Sequence, residues 1–177
     1  MFRKILFSFF GGLVLAGSFT SAASAQTTGN QAFNVVVPRS LTITAPSAST
    51  SMDHNLTPDP QAFPAQMWAV RGNIRTGVVV NFTTASPFVH TGDSSFKRNA
   101  KLDLAVGNWA GPATWTVDKP TDSTAFATNY NEAQVSVSSS GVGRAELNLT
   151  VSFLTDDLGT LAEGNYATTV IGTIAAK

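Results

Sequence analysis

Residues 144–153 read RAELNLTVSF, and their alternation decides the fold class. Ala145, Leu147, Leu149, Val151 and Phe153 fall on one face, while Arg144, Glu146, Asn148, Thr150 and Ser152 fall on the other. Successive side chains of a strand point to opposite sides, so this run reads as a half-buried strand with one dry and one wet face. The same pattern recurs outward from it. Leu102, Leu104 and Val106 alternate with Lys101 and Asp103, and Val78, Val80 and Phe82 share a parity. So do Trp68 with Val70, Trp115 with Val117, and Val135 with Val137. No stretch after residue 25 carries a helical period with caps.

Turn chemistry separates these runs: Gly72-Asn73, Gly107 to Pro112, and Ser138 to Gly143. Strands are expected at 32–37, 40–44, 65–72, 76–84, 99–106, 113–118, 133–138, 144–153 and 165–175. Their spacing predicts an all-β chain, a single antiparallel β-sandwich of about seven to nine strands. Ser47 to Pro64, with several prolines and small polar residues, reads as a long surface connection.

The two ends of this domain have their own patterns. Phe33, Val35, Val37, Leu41 and Ile43 keep one parity across Pro38-Arg39-Ser40. Proline donates nothing to a ladder and sits at edges and bends, so the run predicts a strand that changes sheets at Pro38. The closing stretch, Gly164 to Lys177, reads GNYATTVIGTIAAK. Tyr166, Thr168, Val170, Gly172 and Ile174 share one parity, Ala167, Thr169, Ile171, Thr173 and Ala175 the other, and neither is charged. A strand without charge on either face is covered on both or is a sticky edge. It is expected within the protein's own sheet, beside the opening strand or the 144–153 strand.

Arg3 and Lys4, the apolar run Ile5 to Phe19, and Ala23-Ser24-Ala25 form a signal-peptide pattern, so residues 1–25 are expected to be cleaved on export. The product is periplasmic, cell-surface or extracellular, with no integral membrane segment after cleavage. Residues 26–177 then form one β-sandwich domain of 152 residues. Once Arg3 and Lys4 are gone it has 9 basic and 11 acidic residues. That balance argues against nucleic acid, which rewards clustered positive charge. Lys97, Arg98 and Lys101 read as a solvated strand edge. With no cysteine, disulfide frameworks, thiol nucleophiles and cysteine zinc sites are excluded.

Little in the chain suggests catalysis. His54 and His90 are the two histidines, and with Asp53, Asp93 and many serines they make a Ser-His-Asp trio only on paper, without a nucleophile elbow. Asp156-Asp157 and Asp118 with Asp122 match no calcium-loop spacing and read as acidic loop residues. No catalytic, cofactor-binding or metal residues are assigned, and no cofactor is expected. Trp68 and Trp115 share the apolar parity of their strands and read as core. Trp109, within Gly107 to Pro112, is the candidate exposed aromatic for a glycan contact.

The segments AFNVVVPRSLTIT and LAEGNYATTVIGTIAAK resemble those of exported bacterial immunoglobulin-like subunits, the colonisation-factor pilins and spore-coat-U-like proteins. The resemblance implies a structural protein, not an enzyme, whose subunits associate with themselves or with another surface protein by strand addition. It places Phe33, Val35 and Val37 at alternating donor positions, and Tyr166 and Val170 at terminal-strand positions. The disulfide of many such proteins is absent. A carbohydrate-binding or adhesion module acting through exposed loops is the alternative expectation.

Overall fold

The computed structural model describes residues 27–46 and 49–177, so the signal-peptide pattern lies outside the described residues. Twelve strands follow in chain order: β1 (Leu41–Thr44), β2 (Gln61–Ala62), β3 (Gln66–Gly72), β4 (Val78–Thr84), β5 (Phe88–His90), β6 (Lys97–Ala110), β7 (Trp115–Lys119), β8 (Thr121–Ser123), β9 (Gln134–Ser139), β10 (Gly143–Leu154), β11 (Tyr166–Ala167) and β12 (Val170–Ala176). All pairings are antiparallel. The larger sheet runs β1-β3-β10-β6-β5-β11, with β2 on β10 and β8 on β6; the smaller runs β12-β4-β9-β7. The fold is an antiparallel β-sandwich, as the alternation predicts.

The 144–153 run is the middle of β10, which pairs with β3 along one edge and β6 along the other. Its dry face supplies Ala145, Leu147 and Leu149, which meet Val78, Val80, Phe82, Val135 and Val137 of the smaller sheet. Phe82 and Leu147 are fully buried, and truncating either to alanine would remove about 3–5 kcal/mol. Trp68 and Trp115 pack against this core from its margins. A second cluster of Phe88, Ala100 and Phe153, with Phe63, Leu161 and Tyr166 around it, fills one end. Phe63 stacks on Phe88, and Phe153 meets Phe88 edge-on.

Three expectations are corrected. Residues 32–37 form no strand; Phe33, Val35 and Val37 are exposed and outside every ladder. No sheet change occurs at Pro38, because β1 begins only at Leu41 and pairs with β3. The predicted 165–175 strand is two strands. The chain breaks at Thr168-Thr169, so β11 pairs with β5 whereas β12 pairs with β4, not with β10. The Thr168 hydroxyl donates to the Ser86 carbonyl, which pins the step between sheets.

A residue read as solvated is also interior. Arg98 is buried, its guanidinium donating to the carbonyls of Lys97 and Asp157 and to Thr160 Oγ1. It fastens the short 3-10 turn at Leu158–Thr160 onto the sheet. A buried charge needs hydrogen bonds, and these acceptors serve both terminal nitrogens, while the buried Nε has no partner among the described residues.

Candidate functional site

Val37–Lys177 forms one compact unit. Within this unit the two flanks of the sandwich differ. On one flank the chain itself joins the sheets. Lys119 pairs with Ser136 in the smaller sheet and Thr121 with Asp103 in the larger, so β7 and β8 step across at Pro120. The Pro120 carbonyl accepts from Leu104 N–H at 2.8 Å. The chain thus bridges the sheets there, although β7, like β12, has a ladder partner on one side only among the described residues.

The opposite flank is bounded by β1 and β12. Among the described residues β1 pairs only with β3 and β12 only with β4, so each has a backbone edge without a ladder partner there. The two strands face each other from different sheets. Gly172 marks the approach: a Cβ there would lie 2.8 Å from Ile43 Cδ1 and 2.9 Å from the Trp68 ring. Core-facing Leu41, Ile43, Val170 and Ile174 are only partly buried, although their counterparts in β4 and β9 are sealed. The core therefore thins towards this flank.

β12 has none of the devices that blunt an edge. It is seven residues long, VIGTIAA, without charge or proline, and Ile171 is exposed. β1 is held from the other side, since Ser40 N–H donates to Asn73 Oδ1 and Asn73 Nδ2 donates to the Pro38 carbonyl. Of the terminal-strand candidates, Val170 lies on β12 and faces the core margin. Tyr166 lies on β11, in the aromatic cluster, with its hydroxyl donating to the Ala162 carbonyl. The structure thus separates two residues that one parity had joined. Phe33, Val35 and Val37 are 83%, 88% and 76% exposed.

The histidines hold loops. His54 Nδ1 accepts from Leu56 N–H at 3.0 Å, leaving Nε2 to donate to Thr155 Oγ1 at 2.8 Å; Thr155 in turn donates to the Asp59 carbonyl. His90 Nδ1 accepts from Gly92 and Asp93 N–H groups, and Nε2 donates to the Glu163 carbonyl at 2.9 Å. In both rings each nitrogen is committed, and neither bonds a serine or a carboxylate. Asp93 caps its own turn through Ser95 N–H. Among the described residues no three acidic or histidine side chains converge as metal ligands.

Asp122 has a structural role that sequence reading missed. Its Oδ2 accepts from Lys119 Nζ, the Tyr130 hydroxyl and Gln134 N–H. Burial works to raise this carboxyl, but the hydrogen bonds from Gln134, Lys119 and Tyr130 outweigh it and hold it below the ordinary 3.8. A carboxyl lowered on folding adds stability that is present above the unfolded value and lost as pH falls through the folded one. Asp122→Ala is expected to cost about 1–3 kcal/mol near neutral pH, and Asp122→Asn to flatten the fall in stability below about pH 4. Urea denaturation at neutral and acid pH measures both; an unchanged acid slope in Asp122→Asn contradicts this assignment.

Trp109 is 57% exposed at the end of β6, beside a β-bulge where Gly107 and Asn108 together oppose Glu146. It lines an open concavity with Thr44, Arg71, Asn108, Arg144 and Glu146. Comparison with protein-family models, curated proteins and solved structures finds no match to this chain. Function must be argued from geometry alone.

Proposed function

We propose that this chain is an exported, non-enzymatic structural subunit that associates with copies of itself by strand addition. The observation that carries the reading is the pairing of an unblunted β12 edge with an exposed apolar run at Phe33, Val35 and Val37. A free edge offers main-chain donors and acceptors, and the thin core margin offers pockets for alternate side chains. An extended segment alternating at period two fits such a groove. The signal-peptide pattern at residues 1–25 supports export. Both histidines being spent on loop hydrogen bonds favours a structural role over a hydrolase, which needs a nitrogen free to take a proton.

Light scattering after size exclusion, on protein starting at Gln26, tests the proposal. The expected result is a concentration-dependent series of oligomers, with fibres by electron imaging at the highest concentrations. A single monomeric species throughout that range would sink it.

A further inference from the structure

The outer, solvent-facing side of the larger sheet carries a cluster that the sandwich does not need. Register sets its layout. Thr42 pairs with Arg71, Arg71 with Arg144, and Arg144 with Ala110, giving one transverse row across β1, β3, β10 and β6. In the next row Thr44 pairs with Ala69 and Ala69 with Glu146, beside the Gly107-Asn108 bulge. The two arginines are thus directly opposite each other, an arrangement that costs stability when like charges meet on one face. Neither guanidinium has a hydrogen bond or ion pair among the described residues; the ion pairs join Lys101 to Asp103 and Lys119 to Asp122. Glu146, the nearest acid in register, accepts instead from Asn108 Nδ2 at 3.0 Å. Small Ala69, between Thr44 and Glu146, leaves a depression. The resulting open concavity is about 540 Å³, the scale of one or two sugar rings.

We propose that this concavity binds an acidic saccharide, with the anionic group of the sugar held by Arg71 and Arg144. A guanidinium presents a planar fork of donors that matches a carboxylate or sulfate, and two of them share one anion without repelling each other through an empty gap. Trp109 pairs with core-facing Ala145, on the parity opposite to the arginines, so the sugar is held by polar groups. Asn108 and Glu146, on the bulge side, are placed for ring hydroxyls. The two cations outnumber the single Glu146 carboxylate, so the site favours an anionic sugar over a neutral one. The idea is independent of strand addition, because the concavity lies on the sheet face and not on the open flank.

Calorimetry with three oligosaccharides of matched length tests it: a galacturonate, a sulfated chondroitin and a neutral maltose oligomer. Saturable binding of one or both acidic oligomers, with none of the neutral one, is expected; which acidic oligomer binds identifies the anionic group. Arg71→Gln and Arg144→Gln are each expected to weaken binding about tenfold or more, and the double variant to abolish it. Thermal melting of the arginine variants should be unchanged or higher, since an exposed like-charge pair is relieved. Absence of saturable binding to either acidic oligomer, equal binding of the neutral one, or undiminished binding by the double variant overturns the proposal.

Discussion

Protein lacking residues 27–37 is expected to stay monomeric at concentrations where the chain starting at Gln26 forms oligomers. The deletion ends before Pro38, whose carbonyl is tied to Asn73, so β1 keeps its anchor. No residue of either hydrophobic cluster lies in the deleted segment, and cooperative unfolding of the shortened chain should survive. Burying Phe33, Val35 and Val37 in a neighbour would contribute roughly 1.5–3 kcal/mol each, before the cost of ordering the arm. A single Val35→Ser change should therefore weaken association about tenfold or more. A synthetic peptide of residues 27–37, added to the shortened protein, is expected to bind and slow amide exchange along β12. Oligomers that persist after the deletion would rule out the arm as donor.

Gly77→Ala is expected to be the most damaging single methyl addition in the domain. Gly77 has φ +92°, and a Cβ there would fall on the Ser139 carbonyl oxygen. Backbone on both sides prevents escape: Gly77 N–H donates to Ile74 O, and its carbonyl accepts from Lys177 N–H. The adjacent Val78 N–H donates to Ser139 Oγ inside the protein. Left-handed strain of about 1–2 kcal/mol adds to overpacking of about 1–3 kcal/mol, and the sum should lower Tm by roughly 10 °C. Gly164→Ala is the informative contrast. Gly164 also has positive φ, but the atoms its Cβ would meet belong to the His90 side chain, which can shift at the cost of its hydrogen bonds, and not to fixed backbone. Calorimetric melting of both variants checks the ranking; equal losses would show that the Ser139 carbonyl yields more readily than the packing implies.

What was legible in the chain was what period two encodes. The buried residues of β4, β9 and β10 follow from their alternation, because each of these strands has one dry face. The sheet-changing step at Thr168-Thr169 was illegible, since an unbroken β-prone run gives no sign of where its backbone turns to a new partner; at Pro120 the proline marks a break but not the partner beyond it. Residues 32–37 failed for a different reason. Alternation records readiness to lie in a sheet, and no strand in this chain is paired with that run. Arg98 was misread because its acceptors lie in the 157–160 turn, far along the sequence. The opposition of Arg71 and Arg144 depends on register across two strands 73 residues apart, and only pairing reveals it.

The bridge at Pro120 has a consequence for growth. If strand addition operates as proposed, the β1–β12 flank is the slot and the Phe33–Val37 run the arm, a valence of two with unlike ends. Contacts of that kind join different surfaces, so they close into a ring only if the rotation happens to allow it and otherwise extend without limit. The product would be unbranched and directional, with an empty slot at one tip and a bare arm at the other. One capping molecule at either tip would be enough to set its length.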